Sequence, residues 1–372
     1  MNEVFSDTAK VREYNKKQVY DFIRKTPGIT QAELREISGL SRPTILKVLQ
    51  EMTDSGLIVQ QKNQVNTGGR IPMGFFCNKT SGYAVGFQIS DHHITAVILN
   101  AADEIVLTHR ERISDKVGGS LRRRLGVIYK GMLKDAAIDE KKVIGIGIAV
   151  HALTDPAGRK MIYLPSVDSM FSDLNQVGDL TSSKVRLFHD LDALAYNKKI
   201  WSWPNMFYLS ISDRVGGVMM INGRMYAGDR GRAGEIGHMC IVPDGKKCYC
   251  GNKGCFDAYC STAVLKKTLD GTLQEFFEAV DENHNLRELK RKYVEYLAGA
   301  VFSIHQFFDG IIVIGGELGT CRKYFYEELC DNLDKRAVFP DDHAREYLKT
   351  YDSGVTAFAE GAAAYFTNMV LD

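Results

Sequence analysis

The chain has 372 residues, 45% of them hydrophobic and 25% charged, with a formal net charge of +1. That is more than one ordinary domain needs, and the composition is that of a globular protein rather than a disordered or low-complexity one. No apolar run approaches the ~20 residues of a membrane span, and the opening MNEVFSDTAKVREYNKK lacks the apolar core of a signal peptide, so a cytoplasmic protein is expected.

The small net charge conceals an asymmetry: residues 1–78 carry 11 basic and 8 acidic side chains, the remainder 36 and 38. A mildly basic N-terminal segment permits nucleic-acid contact without establishing it, so the residue pattern must decide. Val19, Phe22 and Ile23 at helical spacing predict a first helix, which ends near Thr26 before Pro27-Gly28. Thr30 with Glu33 is a capping-box pair and opens a short second helix, Gln31–Ser38, closed by Gly39. Ser41 caps a third helix whose first turn tolerates Pro43. Ile45, Val48, Leu49 and Met52 give that helix one buried face and leave Arg42, Thr44 and Lys47 on the other.

Helix, tight turn, helix is the geometry that presents a recognition helix to a DNA major groove. Gly56-Leu57-Ile58-Val59, a polar stretch, and Gly68-Gly69-Arg70-Ile71-Pro72 then predict a two-stranded wing. Arg70 at its glycine-rich tip suits a narrow minor groove. A three-helix module used only for protein contacts is the alternative, but it has no need of Gly-Gly-Arg on a polar hairpin. These features make residues 1–78 a winged helix-turn-helix domain, with Asn78 to Gly82 as the only linker-like composition before residues 79–372.

From Tyr83 onward YAVGFQIS, HITAVILN and a segment near Ile105 predict adjacent strands. A helix over Leu121–Ala137 precedes the strand VIGIGIAV. VRLF, MFYLSIS and GGVMMING follow, then a long helical stretch, IIVIGGEL, and a small-residue helix from Val355 to Thr367. Alternating strands and helices predict an α/β body of two lobes around a cleft. Within it, His238, Cys248, Cys250 and Cys255 form a complete tetrahedral donor set for structural zinc, with Gly251 and Gly254 letting the loop fold tightly. Free thiols beside a chance histidine are the alternative; Cys240 is expected in the core and Cys260 outside the ligand set.

Ala233-Gly234-Glu235-Ile236-Gly237-His238, the run from Cys248 to Cys255, Ile314-Gly315-Gly316 and the upstream Gly-Gly-Arg-x-Pro stand in an order that resembles the ROK family (repressors, open reading frames, kinases). The resemblance spans essentially the whole chain, and the fused N-terminal module is similar to the xylose- and N-acetylglucosamine-type repressor branch. It implies a two-lobed actin-like (ribonuclease H-like) fold, with the C-terminal helix returning to the first lobe, structural zinc, and a dimer or tetramer. It also implies a sugar site at Asp190, Glu235, His238 and Asp257, in which Asp190 matches the kinases' catalytic base and His238 uses its second ring nitrogen for zinc. Asp190 serving only as a helix cap is the competing reading.

The sequence departs from the family's kinase pattern where phosphates would bind. Gln88-Ile89-Ser90-Asp91-His92 stands where kinases read Asp-x-Gly-Gly-Thr, and Ser212-Asp213-Arg214-Val215 stands at the second glycine loop. Lost glycines and added carboxylates disfavour a phosphate cradle. His151-Ala152 replaces Pro-Gly, His189-Asp190 replaces Asn-Asp, and Asp257 replaces a glutamate. The expectation is therefore a transcriptional regulator without kinase activity, a repressor of carbohydrate-related genes that binds operator DNA and a sugar or sugar derivative. An active sugar kinase fused to a DNA-binding domain, and a ligand-independent DNA-binding scaffold, are the two alternatives.

Overall fold

The computed structural model describes residues 8–62, 72–90, 93–113, 121–155, 157–163 and 183–369. Three helices come first, α1 (Thr8–Lys25), α2 (Gln31–Ser38) and α3 (Arg42–Asp54), followed by the antiparallel strands β1 (Ile58–Lys62) and β2 (Met73–Cys77). Local chemistry sets the helix boundaries. Thr30 Oγ1 accepts the Glu33 N–H at 3.3 Å while Glu33 accepts the Thr30 N–H at 2.8 Å, and Gly39 ends α2 at φ 65°. The Ser41 hydroxyl accepts the Thr44 N–H and so opens α3 with Pro43 in its first turn. Helices this short are marginal alone; Ile45, Val48, Leu49 and Met52 hold them by packing with Val19, Ile23, Leu34 and Phe75 in one core.

The first large sheet follows: β3 (Tyr83–Ile89), β4 (His93–Asn100), β5 (Ile105–Arg112), helix α4 (Leu121–Asp135), β6 (Val143–Val150), the short pair β7 (Leu153–Thr154) and β8 (Met161–Tyr163), then β9 (Lys184–His189) leading directly into α5 (Asp190–Leu194). Its order is β5-β4-β3-β6-β9, an antiparallel meander extended by two parallel strands. The second sheet contains β10 (Met206–Ile211), β11 (Val215–Ile221) and β12 (Arg224–Met225). Helices α6 (Asp257–Cys260), α7 (Ala263–Lys266), α8 (Leu273–Ala279) and α9 (His284–Phe308) precede β13 (Ile311–Gly315). The chain closes with α10 (Gly316–Gly319), α11 (Arg322–Asp334), α12 (Ala344–Tyr347), β14 (Leu348–Thr350) and α13 (Ala357–Thr367). This sheet runs β12-β11-β10-β13-β14, again a meander plus parallel strands, so one topology occurs twice.

Each sheet has its own core, the first against α4 and the second against α9 and α11. Helix α13 crosses back onto β3 and β6 of the first sheet. Its approach requires glycine on the strands: a Cβ at Gly86 or Gly147 would run into the carbonyl oxygens of Ala359 and Ala362.

The N-terminal helices are fastened to the first sheet. The Arg24 side chain, only 4% exposed, pairs with Asp103 at 3.1 Å in the turn between β4 and β5. It also donates to the Thr367 carbonyl at 3.3 Å and to the Asn368 side chain, both at the end of α13. Tyr20 donates its hydroxyl proton to the Ala101 carbonyl at 3.3 Å, and Lys198 pairs with Asp21 at 3.3 Å. No helix among the described residues is long and apolar enough to cross a membrane.

Candidate functional site

On α3, Arg42 and Lys47 are exposed on the face opposite the buried stripe. Thr44 is half-buried and its hydroxyl is 2.8 Å from that of Ser41, so part of its hydrogen-bonding capacity serves the helix start. Leu46, 46% exposed, also lies on this open face, an apolar position that charge-based reading passed over. The strands β1 and β2 pair from Ile58↔Cys77 to Lys62↔Met73; Arg70, the predicted wing tip, lies outside the described residues, as do Asp91 and His92.

His238, Cys248, Cys250 and Cys255 converge, with their donor atoms all within 4.8 Å of one another. Cys250 and Cys255 sulfurs are 3.7 Å apart, and Cys248 Sγ is 3.9 Å from His238 Nδ1. Tetrahedral zinc with ~2.3 Å bonds to sulfur separates two thiolates by about 3.8 Å, so the donor set fits the ion. Gly251 at φ 93° and Gly254 at φ 80° supply the left-handed turns of the knuckle. Cys240, expected in the core, is instead exposed and free, its backbone paired antiparallel with that of Cys255.

With Nδ1 turned to the thiols, His238 Nε2 faces the Tyr249 hydroxyl at 3.3 Å. A proton fixed on Nε2 by a metal on Nδ1 would be donated to that oxygen. Tyr249 thus stands where the sequence reading places a sugar hydroxyl. Its ring lies 3.9 Å beneath the Arg214 guanidinium, which is itself 3.9 Å from Asp257. Asp257 is buried and accepts the Val215 N–H at 2.8 Å, leaving its second oxygen toward Arg214. Burial raises the Asp257 carboxyl above the ordinary range, opposed by the Val215 N–H, Arg214, His238 and His151.

Asp190 opens α5 at the carboxyl end of β9 and accepts the Leu191 N–H at 2.8 Å. Two histidines flank it, His151 at 3.5 Å and His189 at 3.4 Å. Burial pushes the Asp190 pKa up, but the His151 hydrogen bond and the charges of His151 and His189 outweigh it, and the net shift is downward. Asp192 shifts the other way, raised by burial and then by Asp190 and Glu235. Glu235 is exposed, just before the short helical turn that carries His238.

The loops after β10 and β13 are engaged with each other. Lys266 lies 2.7 Å from both Asp213 and Glu317, joining the segment after β10 to the one after β13. The two N–H groups that start α10 donate within the protein, Gly316 to Tyr208 Oη at 3.2 Å and Glu317 to Ser212 Oγ at 3.0 Å.

Comparison with known proteins accords with this geometry. Residues 84–369 match the ROK family model and residues 12–59 a winged helix-turn-helix DNA-binding model. The xylose repressor of Bacillus subtilis (strain 168) is 28% identical over 269 residues, 71% of this chain and 70% of its own length. The DNA-binding transcriptional dual regulator NagC of Escherichia coli (strain K12) is 24% identical over 354 residues, 88% of this chain and 87% of its own. A crystal structure of a ROK family transcriptional regulator, homolog of the E. coli MLC protein, shares the fold at a TM-score of 0.76 and 20% identity, covering 97% of this chain and 96% of that one. The ROK hexokinase of Thermus thermophilus shares it at a TM-score of 0.61 and 20% identity, over 76% of this chain and 97% of that one.

Proposed function

The chain belongs to the ROK family, and we propose that it is a DNA-binding transcriptional regulator, a repressor of carbohydrate-related genes controlled by a sugar or sugar derivative in the cleft. The observation that carries this reading is the joining of two parts. An open-faced helix-turn-helix is fastened through Arg24 to the turn after β4 and to the end of α13. Helix α13 in turn packs against α5, which opens with the cleft residue Asp190, and against β6, whose end leads directly into His151. A ligand that binds one arrangement of the two halves more tightly can therefore move the DNA-binding module.

In this reading residues 1–78 form the DNA-binding domain and residues 79–372 the ligand-binding body. Arg42, Thr44 and Lys47 face the major groove and Arg70 the minor groove. Asp190, Glu235, His238 and Asp257 line the sugar site, with Tyr249 and Arg214 added to them. The partner is double-stranded operator DNA, read by a cytoplasmic homodimer or tetramer that presents two modules to a pseudo-palindrome. Zinc is held by His238 and the three thiolates; it fixes the His238 ring and takes no part in chemistry.

Phosphoryl transfer has no place in this proposal. The Lys266 ion pairs put two carboxylates where a polyphosphate would need donors, and the amides at the start of α10 are already engaged. A thermal-unfolding panel with free sugars, sugar phosphates and Mg²⁺-ATP tests both points. A ligand at about 100 times its Kd adds roughly 2.7 kcal/mol. One sugar should raise the melt while ATP does not; stabilisation by ATP together with ADP release would restore the kinase reading.

A further inference from the structure

We propose that His151, His189 and Asp190 form a second metal site, open to the cleft and distinct from the sulfur-rich knuckle, that takes a divalent transition-metal cation. The fold brings these residues together from separate parts of the chain. Strands β6 and β9 are parallel neighbours in register at Val150↔His189. His151 is therefore the first residue beyond one strand end, His189 the last residue of the other, and Asp190 the first of α5. The carboxyl ends of adjacent parallel strands are where open α/β sheets place their ligands.

The donor geometry fits a cation. His151 Nδ1 is 3.5 Å from Asp190 Oδ2 and His189 Nε2 is 3.4 Å from Asp190 Oδ1. All three donors lie within 4.8 Å of one another. Bonds of ~2.0–2.1 Å to nitrogen and oxygen at tetrahedral angles separate donors by about 3.4 Å. The Leu191 N–H, donating to Asp190 Oδ1 at 2.8 Å, orients the carboxylate as an outer-shell partner does in metal sites.

Two imidazoles and one carboxylate suit zinc, cobalt or nickel, and three protein ligands leave at least one coordination position. That position faces the cleft, since the side chains of His151, His189 and Asp190 remain 38%, 15% and 19% exposed. A cation held there offers its remaining positions to vicinal hydroxyls or to the carboxylate of a sugar acid. The site does not depend on the regulatory reading: it stands or falls on metal binding alone.

The test uses the full chain with its Cys-rich site first filled with zinc, then titrated with Co²⁺ alone by calorimetry, absorption and metal analysis. We expect one further equivalent per chain, with weak d–d absorption and no sulfur-to-metal charge transfer. His151→Gln and His189→Ala should each weaken that event by roughly 100-fold or more, since even outer-shell losses cost about 10–100-fold. Melting curves establish that both variants fold; His151→Gln alters the most exposed of the three side chains and risks least. No second equivalent, uptake carrying sulfur charge transfer, or unchanged affinity in both folded histidine variants would overturn the proposal.

Discussion

Replacing Arg24 with methionine keeps an apolar stem of similar length and removes the guanidinium that joins the two parts of the chain. The loss can be sized. Arg24 is nearly fully buried, and its removal deletes the Asp103 ion pair at 3.1 Å, the Thr367 carbonyl bond at 3.3 Å and the Asn368 contact. Breaking a fully buried pair costs about 3–5 kcal/mol. Asp103, however, is 22% exposed and keeps the Thr367 hydroxyl, while Arg24 Nε has no partner to lose. A net loss of about 2–3 kcal/mol remains once solvent relieves Asp103. At roughly 4–8 °C per kcal/mol for a module of 60–100 residues, the winged part should melt on the order of 10 °C or more earlier. The loss equals a whole allosteric coupling of ~1–3 kcal/mol, so effector control of DNA affinity should collapse toward unity. Calorimetry reads the first effect and fluorescence anisotropy on DNA the second. An Arg24→Met protein that melts as wild type does and keeps its effector response refutes the reasoning.

Three further outcomes follow from the geometry. Lys47→Ala should flatten the slope of log affinity against log salt by about 0.9 if Lys47 meets a phosphate, with sugar binding untouched; an unchanged slope places Lys47 outside the interface. If the His238–Cys255 knuckle holds zinc, chelation or Cys255→Ser should lower the melting temperature and raise the count of reactive thiols. Equal thiol reactivity before and after chelation would show that the four donors hold no ion. Glu111, paired through two bonds with Arg124 at 2.5 and 2.8 Å, has its pKa lowered chiefly by that guanidinium. A depressed carboxylate contributes stability above its unfolded pKa of about 4.3 and loses it as pH falls through the lower folded value. Urea midpoints should therefore drop less between pH 7 and pH 3 in Glu111→Gln than in wild type, and parallel losses would contradict the pairing.

What could be read from the sequence was what short range decides. Thr30 with Glu33, Ser41 with Pro43, and the stripe from Ile45 to Met52 specify their helices within a few residues, and all three stand as expected. The longer apolar strands of both sheets were equally plain, while the short edge strands β12 and β14 were not foreseen. Nor was the pairing plain: that both sheets repeat one topology depends on contacts between strands far apart in the chain. The meeting of His151 with His189 follows from the register of two parallel strands, which neither histidine's neighbours encode. Tyr249 passed unnoticed between two cysteines, although a tyrosine inside a ligand run is a signal for an outer-shell partner. Cys240 misled because free cysteines are usually buried, whereas this one is exposed beside the Cys-rich segment. The Arg24–Asp103 contact joins a helix to a turn 79 residues away, and only the assembled fold reveals it.

The most direct test of the account is the affinity of the full chain for a duplex selected by the protein itself from a random pool, measured with and without the sugar that stabilises it. The account predicts enrichment of a pseudo-palindromic site and a change in affinity of about 5–150-fold when that sugar is added. Binding that enriches no sequence, or that stays the same at saturating sugar, would contradict it.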